Sequence, residues 1–289
     1  MSKRLTLITG TTSGIGRETA RALAANGHHL VMACRDEMKA RELAEVLKRE
    51  TGNDAIETLA CDLSSLASVR RAVAEFRARH QHLDLLINNA GTMTTRFQKS
   101  MDGLELTFAA NYLGPWLLTR LLLNSLVAGE EARVVTVASA VHLRGALDLA
   151  GLESEAGQRY SGMSAYARSK LGNVMATLSQ AELLADTGVT ANCLHPGVVG
   201  TNITGDTNAL LRLGMKLISP FILNEERGAA TSIYLATDPA VASNSGGYYD
   251  EHQKLAEMHP NARDKAARER LWAWSSEFCG LDPDWQPAG

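Results

Sequence analysis

The pair Tyr166 and Lys170 has the residue types and spacing of an acid–base catalyst. The pair lies in a stretch with helical periodicity, and residues four apart on a helix share one face. An ammonium beside a phenol favours the phenolate, so Lys170 is expected to lower the pKa of Tyr166 and make it a usable proton donor and acceptor. An exposed tyrosine and a solvated lysine on a surface helix would show the same spacing, so the pair needs support from elsewhere in the chain.

A glycine-rich turn near the N-terminus supplies the first support. The apolar run 5–9 leads into Gly10-Thr11-Thr12-Ser13-Gly14-Ile15-Gly16, and residues 17–25 then follow a helical period. Glycines let the backbone approach a pyrophosphate, and a helix N-terminus offers free N–H groups and a favourable dipole. The arrangement therefore favours a dinucleotide site over the alternative, a tight turn that binds nothing.

The end of the second predicted strand bears on cofactor choice. Residues 28–33 form that strand, and Cys34-Arg35-Asp36 follows. An acid at this place binds the ribose hydroxyls of NAD, whereas an arginine accommodates the 2′-phosphate of NADP. With Cys34 aligned at the acid's place, Arg35 favours NADP(H). A shift of one residue would give Asp36 the ribose instead, and Arg35 would then be a surface charge at a helix start.

Further polar residues follow other predicted strands. Asp62, Asn88-Asn89, Ser139 and His195-Pro196-Gly197 each come directly after an apolar, strand-like run. The carboxyl ends of parallel strands share one edge of a sheet, so these residues and the glycine turn are expected to meet there. Two structural alternatives remain open. Asp62 could belong to a helix cap, and the asparagine pair could hold the strands together rather than contact a ligand.

Strand-like runs alternate with helical patterns along the whole chain, which predicts βαβ units. We expect an α/β fold: a doubly wound, mostly parallel seven-stranded sheet with helices on both faces, a Rossmann fold, in a single domain over residues 1–289. Helices are predicted at 101–126, 163–184 and 261–278, among others. A substrate loop at about 141–165 and an apolar flap at about 204–224 are expected beside the site, although both could simply cover the core.

One helical pattern contains a break. Pro115 lies inside the predicted helix 101–126 and lacks the N–H that would bond to the carbonyl of Asn111. The sequence therefore predicts a free backbone acceptor at Asn111, where a water could bind. A simple kink is the alternative.

Composition excludes several other classes of protein. The net charge of −3 over 289 residues and the lack of a long basic run argue against a nucleic-acid partner. The four cysteines have no zinc-ligand or redox spacing, so we expect reduced thiols and no metal. Met1-Ser2-Lys3-Arg4 leads directly into a strand, and no run is long enough to span a bilayer. These features predict a cytoplasmic protein without a membrane anchor.

Taken together, these motifs resemble those of the short-chain dehydrogenase/reductase superfamily over nearly the whole chain. Ala33-Cys34-Arg35-Asp36, His142 after the serine, the insertion before Tyr166 and the ending Leu271-Trp272 resemble its retinol dehydrogenase-like branch. The resemblance implies the catalytic residues Asn111, Ser139, Tyr166 and Lys170. It implies a cofactor site made of Gly10, Thr12, Ser13, Gly14, Ile15, Gly16, Arg35, Asp62, Leu63, Asn89, Ala90, Gly91, Tyr166, Lys170, Pro196, Gly197, Val199 and Thr201.

The resemblance further implies an NAD(P)-dependent oxidoreductase that interconverts a carbonyl and a primary or secondary alcohol by hydride transfer. Tyr166 would be its general acid and base, and NADP(H) would be preferred over NAD(H). The apolar flap favours an apolar small molecule as substrate. A homodimer or homotetramer is the oligomeric form expected by analogy. Two alternatives remain: an NADP(H)-binding regulatory protein without turnover, and an epimerase or lyase that retains its cofactor.

Overall fold

The computed structural model describes residues 3–149, 152, 160–198 and 224–287. Within them, seven strands form one parallel sheet: β1 (Leu5–Thr9), β2 (His29–Cys34), β3 (Ile56–Ala60), β4 (Leu85–Asn88), β5 (Arg133–Val137), β6 (Thr190–Leu194) and β7 (Tyr248–Tyr249). Their spatial order is β3-β2-β1-β4-β5-β6-β7, and every neighbouring pair is parallel. The order reverses direction between β1 and β4, as it does in doubly wound folds, so the predicted fold class is confirmed.

Helices cover both faces of this sheet. They are α1 (Gly14–Ala25), α2 (Glu37–Thr51), α3 (Leu66–Arg79), α4 (Leu106–Phe108, continued by Ala109–Leu113 and Gly114–Val127), α5 (Gly162–Leu183), α6 (Glu225–Thr237), α7 (Pro260–Arg263) and α8 (Lys265–Phe278). The buried apolar residues form two clusters, one on each face of the sheet. One packs α1, α2 and α6 on the sheet, and the other packs α3, α4, α5 and the C-terminal helices on the opposite side.

Two helix boundaries differ from the predicted ones because polar side chains cap the backbone early. The predicted start at residue 101 is wrong, since α4 begins at Leu106 after buried Glu105. The Glu105 carboxylate accepts the backbone N–H groups of Thr107 and Phe108, each at 2.8 Å. The predicted helix 261–278 is two helices, because Asp264 ends α7 and caps α8 by accepting the N–H of Ala266 at 3.0 Å.

A π-helical segment lies at the predicted break in α4, and the free carbonyl predicted at Asn111 stays a prediction. Residues Ala109–Leu113 are π-helical, and the N–H of Gly114 donates to the carbonyl of Ala109, five residues earlier. Such segments are found mostly as single turns within α-helices, often at functional sites. Asn111 lies inside this segment, so its side chain extends from the π-helical turn, which is wider than the α-helical turns on either side.

The C-terminal helices dock against α4 and α5 through aromatic and polar contacts. The rings of Trp116 and Trp272 lie 5.2 Å apart, and the Tyr112 hydroxyl bonds to Ser275 at 2.7 Å. Trp272 is therefore a packing anchor. The four cysteines are free and buried, which agrees with the expectation of reduced thiols. None of the helices in the described ranges is long and apolar enough to cross a membrane.

Candidate active site

Helix α5 presents Tyr166 and Lys170 toward the carboxyl end of β5. Lys170 is 2% exposed, and its Nζ donates to the carbonyl of Val137 at 2.7 Å. The same Nζ lies 5.5 Å from the centroid of the Tyr166 ring. The spacing read from the sequence thus corresponds to a real pair on one helix face, anchored to the end of a central strand.

Ser139 completes the contact from the strand side. It follows β5 and caps a short 3-10 helix, Ala140–Arg144, in which its Oγ accepts the N–H of Val141 at 3.4 Å. The Ser139 hydroxyl lies close enough to the Tyr166 hydroxyl to act on its pKa, which it lowers. Two hydroxyls from different elements therefore meet at one point, where both could bond to a single oxygen of a bound molecule.

Burial sets the protonation of the pair. It raises the pKa of Tyr166 to about 12, and the bond from Ser139 only partly opposes this. Burial also lowers the pKa of Lys170 to about 8. The expectation that Lys170 lowers the pKa of Tyr166 is wrong for the protein on its own, because desolvation outweighs any lysine effect at this separation. Tyr166 accordingly holds its proton at neutral pH.

Asn111 is held beside this pair by its amide. Its Oδ1 accepts the N–H of Thr92 at 2.7 Å, and its Nδ2 donates to the carbonyl of Thr92 at 2.8 Å and to Ser169 at 3.1 Å. A Cβ on Gly91 would lie 3.6 Å from the Nζ of Lys170 and 3.8 Å from the Oδ1 of Asn111. The structure thus brings together all four residues predicted to be catalytic.

The glycine turn lies tightly against β4's end. A Cβ on Gly16 would lie 2.2 Å from the carbonyl oxygen of Gly10, and one on Gly10 would lie 2.7 Å from the Cα of Ala90. Gly10 and Gly14 have φ values of +70° and +61°, which favour glycine. Ser13 precedes α1 without bonding to it through its side chain. The first turn of α1, with Thr12 before it and Ile15 within it, therefore has free N–H groups, as an anion site requires.

Asn89 steadies this turn rather than reaching outward. Its Nδ2 donates to the carbonyls of Thr9 and Gly10 at 2.9 Å and 3.0 Å, and its N–H donates to the Thr9 hydroxyl. Both amide hydrogens are used, so the structural alternative for the asparagine pair accounts for its side chain. Neighbouring Asn88 is buried and donates to Thr119 at 2.9 Å.

Asp62 and Leu63 follow β3 with different exposure. The Oδ1 of Asp62 accepts the N–H and hydroxyl of Ser64 at 2.9 Å and 2.7 Å, which forms a local turn. Among the described residues no hydrogen bond to its Oδ2 is found, so that oxygen can accept one from a ligand. Leu63 is buried, and a Cβ on Gly114 would lie 2.0 Å from its carbonyl oxygen. Its side chain therefore belongs to the core.

The three residues at the end of β2 differ in their contacts. The Sγ of Cys34 contacts the Thr11 hydroxyl at 3.1 Å, and Asp36 caps α2 by accepting the N–H of Lys39 at 3.1 Å. Arg35 is exposed between them and makes no hydrogen bond or ion pair within the described ranges. It is thus the one residue of the three whose side chain is uncommitted.

The last predicted contacts follow β6. Pro196 and Gly197 lie at the same carboxyl edge as Ser139, and Gly197 has a φ of +81°. Val199 and Thr201 lie outside the described residues. So do the flap 204–224, apart from Asn224, and part of the loop 141–165.

Two contributors to the site were not foreseen from the sequence. The carbonyl of Val137 holds Lys170, and the Ser169 hydroxyl bonds both Asn111 and the carbonyl of Tyr166, the latter at 2.8 Å. Backbone acceptors leave no trace in residue identity, so Val137 carried no signal. Ser169 could have been found, because it lies directly before Lys170 on the helix that approaches α4.

One group of side chains within the described ranges has the spacing to hold a metal, and it lies at the opposite, amino end of the sheet. It consists of His29, Glu57 and His80. Glu57 is already bonded to His29 at 2.5 Å and to Arg79 at 2.9 Å. A cation would compete with these partners, and the expectation of no metal stays a prediction.

Comparison with known families decides the class. A profile for "short chain dehydrogenase" matches residues 4–211, which contain the glycine turn and all four clustered residues. The chain belongs to the short-chain dehydrogenase/reductase superfamily. It is an NAD(P)-dependent oxidoreductase that acts on CH–OH groups.

Similar proteins place this dehydrogenase in the retinol dehydrogenase-like branch. It is 39% identical to retinol dehydrogenase 12 of Mus musculus over 278 residues, covering 96% of this chain and 87% of the relative. It is 40% identical to polyprenol dehydrogenase of Homo sapiens over 285 residues, covering 96% and 86%. A crystal structure of an uncharacterised protein from Mycobacterium Paratuberculosis superposes with a TM-score of 0.79 at 30% identity, covering 98% of this chain and 96% of that one.

The glycine turn and the start of α1 fit the nicotinamide dinucleotide that this class of enzyme uses. The close approach of Gly16 to the carbonyl of Gly10 leaves no room for a side chain in the turn, and Ser13, directly before α1, is exposed and makes no side-chain cap. Lys170 is buried with one hydrogen bond among the described residues, so its ammonium retains donors for a ribose. Gly10, Gly14 and Gly16 would hold the pyrophosphate, with Asp62 at the adenine end.

Proposed function

We propose that this dehydrogenase is NADP(H)-dependent and interconverts an apolar carbonyl compound and its alcohol, with Tyr166 as general acid and base. The observation that carries the proposal is the placement of the Ser139 hydroxyl next to Tyr166, close enough to lower its pKa, beside buried Lys170. Both hydroxyls can bond to one substrate oxygen, on which negative charge develops during reduction. The bound nicotinamide would supply or accept the hydride.

The roles of the four residues follow from their contacts. Tyr166 would give its proton to the substrate oxygen in reduction and take it back in oxidation. Its raised pKa keeps that proton in place at neutral pH, which is the form that reduction needs. Ser139 would hold the substrate oxygen. Lys170 would bind the cofactor ribose, and Asn111 would position a water that links the lysine to solvent.

Replacing Tyr166 with phenylalanine tests this assignment. Tyr166→Phe keeps the ring and removes the proton, so turnover of apolar aldehydes and ketones should fall by about 10²–10⁴-fold while NADPH still binds. Nicotinamide absorbance gives the rate, and quenching of protein fluorescence gives the binding constant. Tyr234→Phe is the matched control, because Tyr234 lies on α6 and packs on the face of the sheet opposite α5.

Other outcomes would favour the alternatives. Full activity in Tyr166→Phe would refute the general-acid role. A wild-type protein that binds NADPH but turns over none of a broad panel of carbonyls and alcohols would favour a regulatory protein. Consumption of substrate with no net change in nicotinamide absorbance would favour an epimerase or lyase.

Cofactor preference rests on Arg35. It is the uncommitted residue after β2, while Cys34 and Asp36 are held by Thr11 and the start of α2. Arginine pairs well with phosphate, so Arg35 would hold the 2′-phosphate of NADP(H).

We expect Arg35→Ala to raise the KM for NADPH about tenfold to hundredfold, as expected for loss of charge-assisted hydrogen bonds, and to leave the KM for NADH unchanged. Steady-state kinetics with both cofactors measure this. Arg49→Ala is the control, because Arg49 is exposed near the far end of α2. A wild-type preference for NADH would contradict the role given to Arg35.

The apolar character of the substrate has support in the described part of the site edge. Leu143 follows Ser139 by one turn, Met163 precedes Tyr166 by one turn, and Val198 follows Gly197; all three side chains are exposed. The relatives named for retinol and polyprenol dehydrogenation are named for apolar alcohols. A long-chain or isoprenoid alcohol is therefore the first substrate class to assay.

A further inference from the structure

His142 is buried directly behind the site, and the proposed chemistry does not use it. It lies in the 3-10 helix after Ser139 and is 0% exposed. Its Nδ1 lies 2.8 Å from the carbonyl oxygen of Ser139, and its Nε2 lies 3.3 Å from the backbone nitrogen of His259. The ring thus bridges Ser139 and the beginning of the C-terminal segment, residues 259–287.

These two partners fix the form of the imidazole. A backbone N–H can only donate, so the Nε2 of His142 must be the acceptor. A carbonyl can only accept, so Nδ1 must carry the hydrogen. His142 is therefore neutral, with its proton on Nδ1. The titratable side chains around it are Tyr248, His195 and His259. Burial lowers the pKa of His142; the bond to Ser139 opposes this, and His259 and His195 reinforce it.

The turn that carries His142 is fixed on its other side as well. A Cβ on Gly145 would lie 2.8 Å from the carbonyl oxygen of Ala167 and 2.8 Å from the Cβ of Leu171, so the turn touches α5 on both sides of Lys170. The N–H of Gly145 donates to the carbonyl of His142 at 2.9 Å. Ser139 is thus placed relative to Tyr166 by α5 on one side and by His142 on the other.

The C-terminal segment provides a firm support for this bridge. His259 caps α7, with its Nδ1 accepting the N–H of Asn261 at 3.1 Å. Further along, buried Arg268 donates to the carbonyl of Ala262 at 2.9 Å and forms an ion pair with Glu182 of α5. The segment is therefore anchored to the helix that carries Tyr166.

We propose that His142 is a positioning residue that, as the neutral Nδ1–H tautomer, ties the Ser139 carbonyl to the backbone of His259 and so keeps the Ser139 hydroxyl on Tyr166. The inference rests on the proposed function for its kinetic consequence, and on geometry alone for the tautomer. It makes the docking of the C-terminal segment a condition for full activity, although no residue of that segment touches the reacting groups.

Kinetics of four variants test the bridge. His142→Phe keeps the ring and loses both bonds, and we expect kcat to fall about tenfold to hundredfold with the KM for NADPH unchanged. His142→Asn keeps a donor near the position of Nδ1 and should recover part of the loss. His259→Pro removes the backbone donor at a residue whose φ of −55° suits proline. His259→Ala is its control, because it keeps that N–H.

Two further readouts separate positioning from a general loss of structure. The nearby Ser139 hydroxyl lowers the pKa of Tyr166, so a displaced Ser139 in His142→Phe should move the alkaline limb of the oxidation rate to higher pH, which partial unfolding would not do. The double variant His142→Phe/His259→Pro should lose no more than His142→Phe alone, since both break one bridge. Additive losses, or unchanged kcat in His142→Phe, would overturn the proposal.

A spectroscopic measurement tests the tautomer without any turnover. In long-range 1H–15N correlation spectra of protein labelled at histidine, His142 should show the neutral Nδ1–H pattern at neutral pH. His259→Pro should shift its Nε2 resonance, and His259→Ala should not. An Nε2–H or protonated His142 would refute the inference even if the enzyme is active. The expected pattern in a protein without turnover would leave the bridge intact and refute the proposed function instead.

Discussion

The two ends of the parallel sheet treat buried charge in opposite ways. At the amino end, the Asp84 carboxylate accepts the N–H groups of Leu5 and Glu130 at 2.7 Å and 2.9 Å. Arg133, at the start of β5, donates to the carbonyls of Leu235 and Asp238 at 3.1 Å and 3.0 Å. At the carboxyl end, Lys170 is equally buried but donates to Val137 alone among the described residues.

The number of hydrogen-bond partners of each buried charge indicates what each end of the sheet does. A buried charge with two backbone partners joins strands to turns; burial lowers the pKa of Arg133 too, but two carbonyls accept from its guanidinium. A buried charge with one partner keeps its desolvation cost, which is visible in the pKa of Lys170, lowered to about 8 by burial. We infer that buried charges at the amino end maintain the fold, whereas Lys170 at the carboxyl end keeps hydrogen-bond donors available for the cofactor.

The largest effect is expected for Lys170→Met. We expect turnover to fall by about 10²–10⁴-fold, through loss of the ribose contact and of the charge beside Tyr166. The same change should stabilise the protein without cofactor at pH 7, by up to about 3 kcal/mol before the lost bond to Val137 is subtracted.

The pH dependence fixes the sign of this effect. The folded pKa of Lys170, about 8, lies below its ordinary value of 10.5, so the folded protein binds fewer protons than the unfolded chain between these values. The burial cost is therefore complete below pH 8 and fades as pH rises toward 10.5. Urea unfolding of wild type and variant across this range measures it, with exposed Lys265→Met as control. A variant less stable than wild type at pH 7 would make Lys170 a structural charge.

The sequence was sufficient for the sheet and for placing Ser139 at its carboxyl edge. Both rest on periodicity and on residues that follow strands, because parallel strands bring their ends together whatever the details of packing. The grouping of Asn111, Tyr166 and Lys170 with Ser139 came instead from the resemblance to a family.

Features that depend on how a side chain packs and which group it bonds to could not be predicted from periodicity. Asp264 splits the C-terminal helix because its carboxylate caps a new one, and the periodic pattern on either side hides that choice. The pKa of Tyr166 was predicted to fall and instead rises, because the degree of burial around a hydroxyl is a property of the packed site. The commitment of Cys34 and Asp36, which isolates Arg35, likewise became clear only in three dimensions.

Asp84→Ala should reduce stability at the amino end of the sheet without affecting catalysis. It leaves the N–H groups of Leu5 and Glu130 without their acceptor, so we expect a loss of about 2–4 kcal/mol in the free energy of unfolding. kcat/KM should stay unchanged at temperatures where the variant is folded, since Asp84 lies at the opposite end of the sheet from Tyr166. Denaturant unfolding and steady-state kinetics test both parts. Asp54→Ala is the control, because that side chain is exposed. A selective loss of kcat would show that the two ends are coupled.

The smallest effect is expected at the ion pairs on the outer edge of the amino end. Glu57 bonds to His29 and Arg79, and its carboxylate lies 3.4 Å from the Nε2 of His80. All four side chains are partly open to solvent, so Glu57→Gln should cost less than about 1 kcal/mol and less still in high salt. Arg79→Gln in the same background should then add little, because the two changes remove one shared interaction.

Acid should erase this difference between wild type and Glu57→Gln. Burial alone would raise the pKa of Glu57, but the bond from His29 and the charges of His80 and Arg79 lower it overall. A lowered folded pKa means that the contribution is complete above the unfolded value, near ~4.3, and is lost as pH falls through the folded one. Unfolding curves between neutral pH and pH ~3 measure the loss. A difference that persists in acid, or one accompanied by reduced turnover, would mean that Glu57 acts through packing that reaches the site, and that the two ends of the sheet do not divide stability from function.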